Sequence, residues 1–326
     1  MTPPSMLKNI PTLGIVVPCY NEEEVLTETN ARLTRLLTSM IETSLIAEQS
    51  AIYYVDDGSR DKTWALIEKF SKNNPLVCGV KLSCNRGHQN ALWCGLMTVP
   101  GDILVSIDAD LQDDINVIPK MVNEFLDGKE IVYGVRDSRA SDTFFKRFSA
   151  ELFYKLMKVM GVDLVFNHAD YRLLSRRALD ALSEYQEVNL FLRGIVRLLG
   201  FTSSIVKYDR AERFAGESKY PLKKMLAFAW QGISSFSIVP LRLITLLGFA
   251  ISLLSIFFGL WGLGVSLVGD YVVPGWASTV VPMYFLGGVQ LLGLGVIGEY
   301  IGKIYLESKH RPRFHIEKII ERDRSK

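Results

Sequence analysis

Charged side chains are missing from two long stretches near the end of this sequence. No Asp, Glu, Lys or Arg occurs from Leu243 to Gly269 or from Tyr271 to Gly298, and only Asp270 separates the two. A helix of roughly 20 residues, rising about 1.5 Å per residue, crosses the hydrocarbon core of a membrane. We therefore expect two transmembrane helices, at 241–268 and 280–305. A pair of core helices in a soluble bundle is disfavoured, because such long uncharged stretches are rare outside membranes.

Basic side chains are also absent from the short connection between these stretches, residues 269–279. Arg242 precedes the first stretch, and Lys303, Lys309 and Arg311 follow the second. The positive-inside rule places both basic ends in the cytoplasm, and the N-terminal residues lack the pattern of a signal peptide. We predict a multi-pass protein of the plasma (inner) membrane. The expected order of segments is a cytosolic catalytic domain (1–220), an interfacial helix (221–240), the first span, an extracytoplasmic loop (269–279), the second span and a cytosolic tail (306–326).

Cysteine pairs and strong net charge are further absences. The sequence has four cysteines with no Cys-x-x-Cys spacing, which disfavours zinc sites and a disulfide framework. Its formal net charge is +2, and we expect no nucleic-acid partner.

What the first two thirds of the chain does have is an alternation of short apolar runs and helical patterns. Four runs indicate strands, at Leu13–Val17, Ile52–Val55, Val77–Leu82 and Ile103–Ile107. Strands interleaved with helices predict an α/β fold with a mostly parallel sheet. A polar cluster follows each run, and in such sheets ligands bind at the carboxyl ends of the strands.

The fourth cluster, Asp108-Ala109-Asp110-Leu111-Gln112-Asp113, carries two carboxylates one residue apart. Side chains alternate along a strand, so Asp108 and Asp110 point the same way where the chain leaves the sheet. Such a pair suits Mg²⁺ or Mn²⁺, with substrate phosphates completing the coordination shell. The alternative is an acidic loop that caps the next helix.

Taken together, the four clusters resemble the nucleotide-sugar motifs of glycosyltransferase family 2. The motifs are Val16-Val17-Pro18-Cys19-Tyr20-Asn21-Glu22-Glu23, Val55-Asp56-Asp57-Gly58-Ser59-Arg60-Asp61, Asn85-Arg86-Gly87-His88 and Asp108-Ala109-Asp110-Leu111-Gln112-Asp113. This resemblance implies a GT-A (Rossmann-like) fold, a metal held by Asp108, Asp110 and Gln112, and the nucleobase and ribose near the first loop and Asp56. It implies donor contacts from Pro18, Tyr20, Asn21, Glu22, Asp56, Asp57, Asn85, Asp108, Ala109, Asp110 and Gln112.

A second resemblance covers nearly the whole chain. Arg213-Phe214-Ala215-Gly216-Glu217-Ser218-Lys219-Tyr220-Pro221, followed by the two uncharged stretches, is similar to polyprenyl-phosphate glycosyltransferases of the dolichol-phosphate mannose synthase branch. Ala215 departs from that pattern, which carries a bulky aromatic residue before the glycine. The similarity implies inverting, metal-dependent transfer of a hexose from a nucleotide-diphosphate sugar, with UDP-glucose favoured, to polyprenyl phosphate. Aminoarabinose, GlcNAc and mannose remain alternatives.

Basic residues are expected to complete the site. Arg213 and Lys219, with Ser218 between them, lie in a loop before the membrane and suit the phosphates of donor and lipid. Attraction to anionic lipid is the alternative for this pair. Arg136 is a further candidate phosphate contact.

Asp170 is the candidate general base, because it stands where the resembling family carries an acidic residue near the acceptor. Its alternatives are a salt bridge to Arg172 and a helix cap near Ser175. A phosphate monoester is already largely dianionic at neutral pH, so positioning matters more than a base. His88 is interpreted as a hydrogen-bonding loop residue.

Two amphipathic patterns suit contact with the lipid bilayer, and the first of them equally suits packing against the core of the catalytic domain. Phe144–Met160 separates apolar and basic faces, and Pro221–Phe236 combines Lys223 and Lys224 with apolar side chains. The glycine-rich spans suit close helix packing, and we expect a homo-oligomer.

Two other functions compete with lipid-linked sugar transfer. A processive polysaccharide synthase is expected to carry a Gln-x-x-Arg-Trp motif and more spans, and this sequence has neither. A non-enzymatic membrane module that binds nucleotide sugars or lipid-linked sugars would not require the Asp108–Asp113 cluster.

Overall fold

The computed structural model of the chain describes residues 10–136, 168–188, 190–209, 237–268 and 276–322. These residues belong to two compact units. The first contains 10–136, 312–322 and the described parts of 168–209, and the second contains the described parts of 237–311.

The first half of the sheet alternates strands and helices as the sequence predicts. Its strands are β1 (Leu13–Cys19), β2 (Ala51–Asp56), β3 (Val77–Leu82) and β4 (Ile103–Ser106). They are parallel in the order β4-β1-β2-β3. The connecting helices are α1 (Leu26–Glu42), α2 (Thr63–Asn73) and α3 (His88–Thr98). All four predicted strands are confirmed.

The second half adds strands on both sides. A 3-10 turn (Ile115–Val117) and α4 (Ile118–Leu126) precede β5 (Ile131–Arg136), and β6 (His168–Ser175) is followed by α5 (Arg176–Ser183), α6 (Leu192–Leu198) and β7 (Ser203–Tyr208). With β8 (Ile316–Ile320), the sheet has the order β7-β5-β6-β4-β1-β2-β3-β8. Strand β6 is antiparallel to β4 and β5, β8 is antiparallel to β3, and the remaining pairs are parallel. The predicted mostly parallel α/β sheet is confirmed.

The core lies on both faces of the central strands. All seven residues of β1 are buried, as expected for a strand covered on both sides. Helix α1 presents Leu26, Leu33, Leu37 and Met40 to the sheet at helical spacing. Helix α3 approaches β1 and β2 so closely that a Cβ at Gly95 would lie 2.3 Å from a methyl of Val16. Glycine is therefore required at that contact.

Strand β8 returns the end of the chain to the sheet of the first unit. Lys81 Nζ lies 3.0 Å from Glu317 Oε1, and the Ser83 amide donates to the His315 carbonyl at 2.9 Å. The Arg313 guanidinium lies 4.2 Å from the centroid of the Trp93 ring and donates to the Tyr185 carbonyl at 2.8 Å. The sequence predicted only a tail at 306–326, without the strand β8.

The second unit consists of two long helices in its described part. Helix α7 (Val239–Val268) has 30 residues and α8 (Trp276–Ser308) has 33. Within the part of the chain that the structure describes, Phe285–Ser308 is the segment long and apolar enough to cross a membrane. Val239–Ile251 is a shorter apolar segment. Two membrane spans therefore stay a prediction.

Several predicted features lie outside the described residues. They are the amphipathic segments 144–160 and 221–236, the connection 269–275, and the candidate phosphate-binding residues Arg213, Ser218 and Lys219.

Candidate active site

A cavity of about 370 Å³ opens at the carboxyl ends of β1, β2 and β3. This volume lies within the range of small-molecule sites. Five of the predicted donor-binding residues line it, together with Cys19, Gly87, His88 and Ala91: Pro18, Tyr20, Glu22, Asp57 and Asn85. The parallel register, which sets Cys19 of β1 opposite Asp56 of β2, brings the loops after both strands to this edge.

The loop after β1 is bonded to the loop after β2. The Asn21 amide donates to Ser59 Oγ at 3.0 Å, and Asn21 Oδ1 accepts from the Arg60 amide at 2.9 Å. The Glu22 amide donates to Thr63 Oγ1 at 2.8 Å. Asn21 has a left-handed φ of 55°, which asparagine adopts more readily than most residues. These bonds connect the first two motifs into one rigid side of the cavity.

Asp57 fixes the third motif through backbone bonds. Its two carboxylate oxygens accept from the amides of Arg86 at 2.7 Å and Gly87 at 2.8 Å. Burial raises the pKa of Asp57, and these amide bonds oppose the rise. Gly58 between the two loops has φ 65°, and a Cβ there would lie 2.7 Å from backbone atoms of Cys84 and Asn85. The turn therefore requires glycine.

Asp56 is fully buried beside this cavity but does not line it. One carboxylate oxygen accepts from the Ser59 amide at 3.2 Å, and the other has no hydrogen-bond partner among the described residues. Burial raises the pKa of this carboxyl group. An unsatisfied buried carboxylate oxygen is unusual and marks a place where a ligand donor would be stabilising.

The Asp108–Asp113 loop follows β4. Ala109 is buried, and its carbonyl accepts from Thr29 Oγ1 at 2.7 Å. Asp110 accepts from the Gln112 amide at 3.2 Å. Leu111 has φ 57°, an uncommon conformation for a leucine, and such strain often occurs at functional sites. The loop therefore holds Ala109 inward while its two neighbouring carboxylates flank it.

Strand β6 brings Asp170 next to this loop, because β6 pairs with β4 in the register Ser106 to Arg172. The His88 Nε2 atom lies 3.5 Å from Asp108 Oδ1 and 3.7 Å from Asp170 Oδ2. Gln89 Nε2 donates to Asp170 Oδ2 at 3.1 Å. His88 is the first residue of α3, so its interpretation as a loop residue is wrong.

Two guanidinium groups also contact Asp170. Arg172 donates to Asp170 Oδ1 in a short contact, and Arg193 Nη2 lies 3.3 Å from Asp170 Oδ2. Of the alternatives for Asp170, the salt bridge to Arg172 is present, whereas the helix cap is provided by Ser175 itself.

The surroundings of Asp170 and Asp108 shift the pKa values of these two carboxyl groups in opposite directions. Burial opposes ionisation of Asp170, but the charge of Arg193, the hydrogen bond from His88 and the charge of Arg172 outweigh it, and its pKa lies well below the usual range. Burial raises the pKa of Asp108 to about 6; His88 opposes this shift, and the nearby carboxylates Asp170, Asp113 and Asp110 add to it.

Arg136, the further candidate phosphate contact, is paired with a carboxylate. Its Nη2 lies 3.1 Å from Oδ1 of the buried Asp113, which also accepts from the Tyr208 hydroxyl. A role of Arg136 at a phosphate stays a prediction.

The donor atoms near Asp108 and Asp110 are carboxylate and amide oxygens, the class that Mg²⁺ and Mn²⁺ prefer. The described residues contain no group of three or more His, Cys, Asp or Glu side chains that could hold a metal ion. Oxygen donors of this kind fit a divalent metal that takes one or two protein carboxylates and completes its shell with substrate phosphates.

Three side chains near Asp108 and Asp170 were not predicted from the sequence. Gln89 and Arg193 had no recognisable signal, and Asp113 was quoted within a motif without a role. His88 was noticed in the third motif but not connected with Asp108 and Asp170.

The fold and the site define a GT-A type glycosyltransferase, with carboxylates at the ends of its strands and two of them, Glu22 and Asp57, lining the cavity. The family model described as "Glycosyl transferase family 2" matches residues 14–183. The chain belongs to glycosyltransferase family 2 and is a glycosyltransferase.

Relatives match almost the full length. The glycosyltransferase YkoT of Bacillus subtilis is 54% identical over 96% of this chain and 93% of its own length. The bactoprenol glucosyl transferase of Shigella phage SfV is 39% identical over 94% of this chain and 98% of its own. Among solved structures, glucosyl-3-phosphoglycerate synthase from Mycobacterium tuberculosis is 20% identical, with a TM-score of 0.45 over 69% of this chain and 78% of that one.

Proposed function

We propose that this enzyme transfers glucose from UDP-glucose to polyprenyl phosphate at the cytoplasmic face of the membrane, by an inverting, metal-dependent reaction. The observation that carries the proposal is a cluster of side chains at the edge of the cavity. In it, His88 lies close to both Asp108 and Asp170, and Asp170 is paired with two arginines. Similarity to the phage bactoprenol glucosyl transferase, over nearly the whole of both chains, supports the choice of sugar and lipid.

The donor side of the reaction requires a rigid nucleotide pocket. The bonded loops of Asn21 and Asp57 support this role, because their hydrogen bonds are made to backbone amides and do not depend on the ligand. The unpartnered oxygen of Asp56 suits a donor group of the nucleoside.

The leaving diphosphate requires charge neutralisation. Asp108, Asp110 and Gln112 are the residues that would hold Mg²⁺ or Mn²⁺. A bound divalent ion supplies Lewis-acid stabilisation of the departing nucleotide. Arg213, Ser218 and Lys219 are proposed to add to the phosphate contacts, as is Arg136.

The acceptor side does not need a strong base. The second ionisation of a phosphate monoester occurs near pH 6, so its attacking oxygen is largely deprotonated at neutral pH. Asp170 is a poor proton acceptor, because its pKa lies well below the usual carboxyl range. We assign Asp170 the role of holding the basic groups Arg172 and Arg193 in the site.

The lipid acceptor requires a membrane location. Helices of 30 and 33 residues extend about 45 and 50 Å at 1.5 Å per residue, enough for one crossing each. Basic residues at the flanks, Arg242 in the first turn of α7 and Lys309 after α8, support a cytoplasmic catalytic domain. Homo-oligomerisation is proposed from the glycines of α8, with cross-linking in native membranes as its test.

The test is transfer of radiolabelled sugar to undecaprenyl phosphate by the full chain in membranes. We expect a chloroform-extractable product from UDP-glucose with Mn²⁺ and none after chelation. UDP-GlcNAc, UDP-aminoarabinose and GDP-mannose serve as competing donors. An Ala215→Phe variant, which restores the aromatic residue of the resembling family, is run in parallel. Absence of lipid product from every donor in both versions would contradict the proposal.

A further inference from the structure

We infer that His88 is a specificity-determining residue of the donor site, which contacts the hexose of the nucleotide sugar through a hydrogen bond with one of its hydroxyl groups. The inference rests on the proposed function, because it supposes a donor whose diphosphate lies near Asp108 and Asp110. It is carried by the position of His88, which lines the cavity and also lies beside two carboxylates that do not line it.

His88 connects the cavity with the Asp108–Asp113 loop. It lines the cavity together with residues of the first three motifs, and its Nε2 atom lies 3.5 Å from Asp108 Oδ1 and 3.7 Å from Asp170 Oδ2. In a nucleotide sugar, the hexose follows the diphosphate. A donor whose nucleoside occupies the cavity, and whose diphosphate reaches a metal at Asp108, therefore brings its hexose into the space beside His88.

The imidazole of His88 has a second ring nitrogen to offer to a ligand. Nε2 lies near the two carboxylates, whereas Nδ1 has no hydrogen-bond partner among the residues that the structure describes, and 43% of the side chain is exposed. Nδ1 donates a hydrogen bond when the imidazole is charged and accepts one when Nε2 carries the only proton. A sugar hydroxyl can both donate and accept, so it suits Nδ1 in either state, whereas a phosphate oxygen only accepts. The chemistry therefore favours a hydroxyl over a phosphate.

The backbone on both sides of His88 is held in place. The amide of Gly87, before it, donates to Asp57 Oδ2 at 2.8 Å. The side chain of Gln89, after it, donates to Asp170 Oδ2 at 3.1 Å. A hydrogen-bonding group that is held in this way discriminates between sugars, because it cannot move to compensate for a missing hydroxyl.

The first measurement compares the binding of UDP and of UDP-glucose, each with Mn²⁺, to the full chain in detergent without the lipid acceptor. His88→Phe keeps a ring without nitrogen, and His88→Asn keeps a polar group near the position of Nδ1. His310→Asn is the matched control, because His310 is exposed in the second unit and has a left-handed φ of 45°, which asparagine also adopts.

We expect His88→Phe to weaken the binding of UDP-glucose at least about fivefold, as for the loss of one hydrogen bond, and to leave that of UDP within about twofold. His88→Asn should recover part of the loss, and His310→Asn should leave both affinities at the parental values.

The second measurement identifies the hydroxyl. It uses UDP-glucose analogues that each lack the 2-, 3-, 4- or 6-hydroxyl of the hexose. In the parent, removal of the contacted hydroxyl should weaken binding by a factor similar to that of His88→Phe. In His88→Phe, the same removal should have no effect, because side chain and hydroxyl then form a double-mutant cycle with a shared interaction.

The outcomes separate the possibilities. Equal weakening of UDP and UDP-glucose would mean that His88 acts through Asp108 and the metal, and unchanged affinities, with or without a lower unfolding temperature, would mean that it does not contact the donor. Either result overturns the inference, as does a set of analogues that respond alike in the parent and in His88→Phe. If the parent makes no lipid product, the proposed function fails, whereas the two binding measurements still decide the role of His88.

Discussion

Carboxylates lie on both sides of β1 at the same edge of the sheet, and they are held in two different ways. Asp57, after β2, is bonded by the backbone amides of Arg86 and Gly87. Asp170, in β6, is surrounded by the side chains of Arg172, Arg193, Gln89 and His88. Backbone amides cannot leave without unfolding their loop, whereas side chains can exchange a carboxylate for a substrate. The Asp57 side of the site therefore has a fixed shape, and the Asp170 side can respond to charge.

Asp170→Asn should give the largest effect on stability. Asparagine leaves the buried guanidinium of Arg172 without a countercharge, and breaking a buried pair by removing one partner costs about 3–5 kcal/mol. Denaturant unfolding of the full chain in detergent measures the loss. Adding Arg172→Met to Asp170→Asn should restore part of it, and equal stability of the parent and the single variant would refute the charge-balanced description.

Asp110→Asn should give the largest effect on activity. If Asp110 holds the metal as proposed, its loss should lower kcat/KM by about 100–1000-fold, in line with the loss of one strong transition-state contact. The exposed Asp127→Asn variant serves as the control. A variant that keeps parental activity at limiting Mn²⁺ would exclude a metal role for Asp110.

Asp57→Asn tests whether the Asp57 side of the site has a fixed shape. The amide side chain can accept only one of the two backbone bonds, and the loss of a hydrogen bond to a charged group costs about 1.5–3 kcal/mol. We expect a KM for UDP-glucose raised about tenfold and an unchanged KM for the lipid. A rise in the lipid KM instead would remove the distinction between the two sides.

The pH dependence of donor binding should follow Asp108. Its pKa is raised to about 6, so the carboxylate becomes protonated as the pH falls below 6 and can no longer act as a metal ligand. Binding of UDP-glucose with Mn²⁺ should weaken by up to about tenfold per pH unit below 6, and a higher Mn²⁺ concentration should shift the transition to lower pH. UDP-glucose is used because its diphosphate has no monoester ionisation in this range. Affinity that is constant from pH 7 to 5 would contradict the raised pKa.

Arg313→Gln should give the smallest effect. It removes a cation–π contact with the buried Trp93 ring, worth about 0.5–2 kcal/mol, and the hydrogen bond from the guanidinium to the Tyr185 carbonyl. We expect a slightly lower unfolding temperature and parental KM values for both substrates. A large change in either KM would mean that the C-terminal residues belong functionally to the site.

The Asp57 side of the site was predictable from the sequence, and the Asp170 side was largely not. Each buried strand from β1 to β4 is a short apolar run followed by a polar motif, so Asp57 and Asn85 could be expected at the ends of their strands, where both line the cavity. Their contacts with a donor stay a prediction. Arg193 reaches Asp170 through the antiparallel pairing of β6 and the attachment of α6 to α3, which no local pattern announces.

Helix α3 follows from the expected alternation of strands and helices, but it has no helical pattern of its own in the sequence. Residues Ala91 to Leu96 are all buried, so its sequence lacks the apolar and polar alternation that marks an amphipathic helix. The strand β8 was missed because its partner β3 lies more than two hundred residues earlier, as the separation of 236 residues between Lys81 and Glu317 illustrates.

That separation has a consequence for the order of events during synthesis. Strand β3 is translated early, while β8 is translated only after both long helices. Domains fold progressively from the N-terminus, and contacts between distant residues form late. The nascent sheet therefore keeps an open edge at β3 until β8 emerges, and open edges invite pairing with other chains. We expect that the sheet is protected from such pairing only once β8 has formed, so that polypeptides truncated before Ile316 aggregate or are degraded.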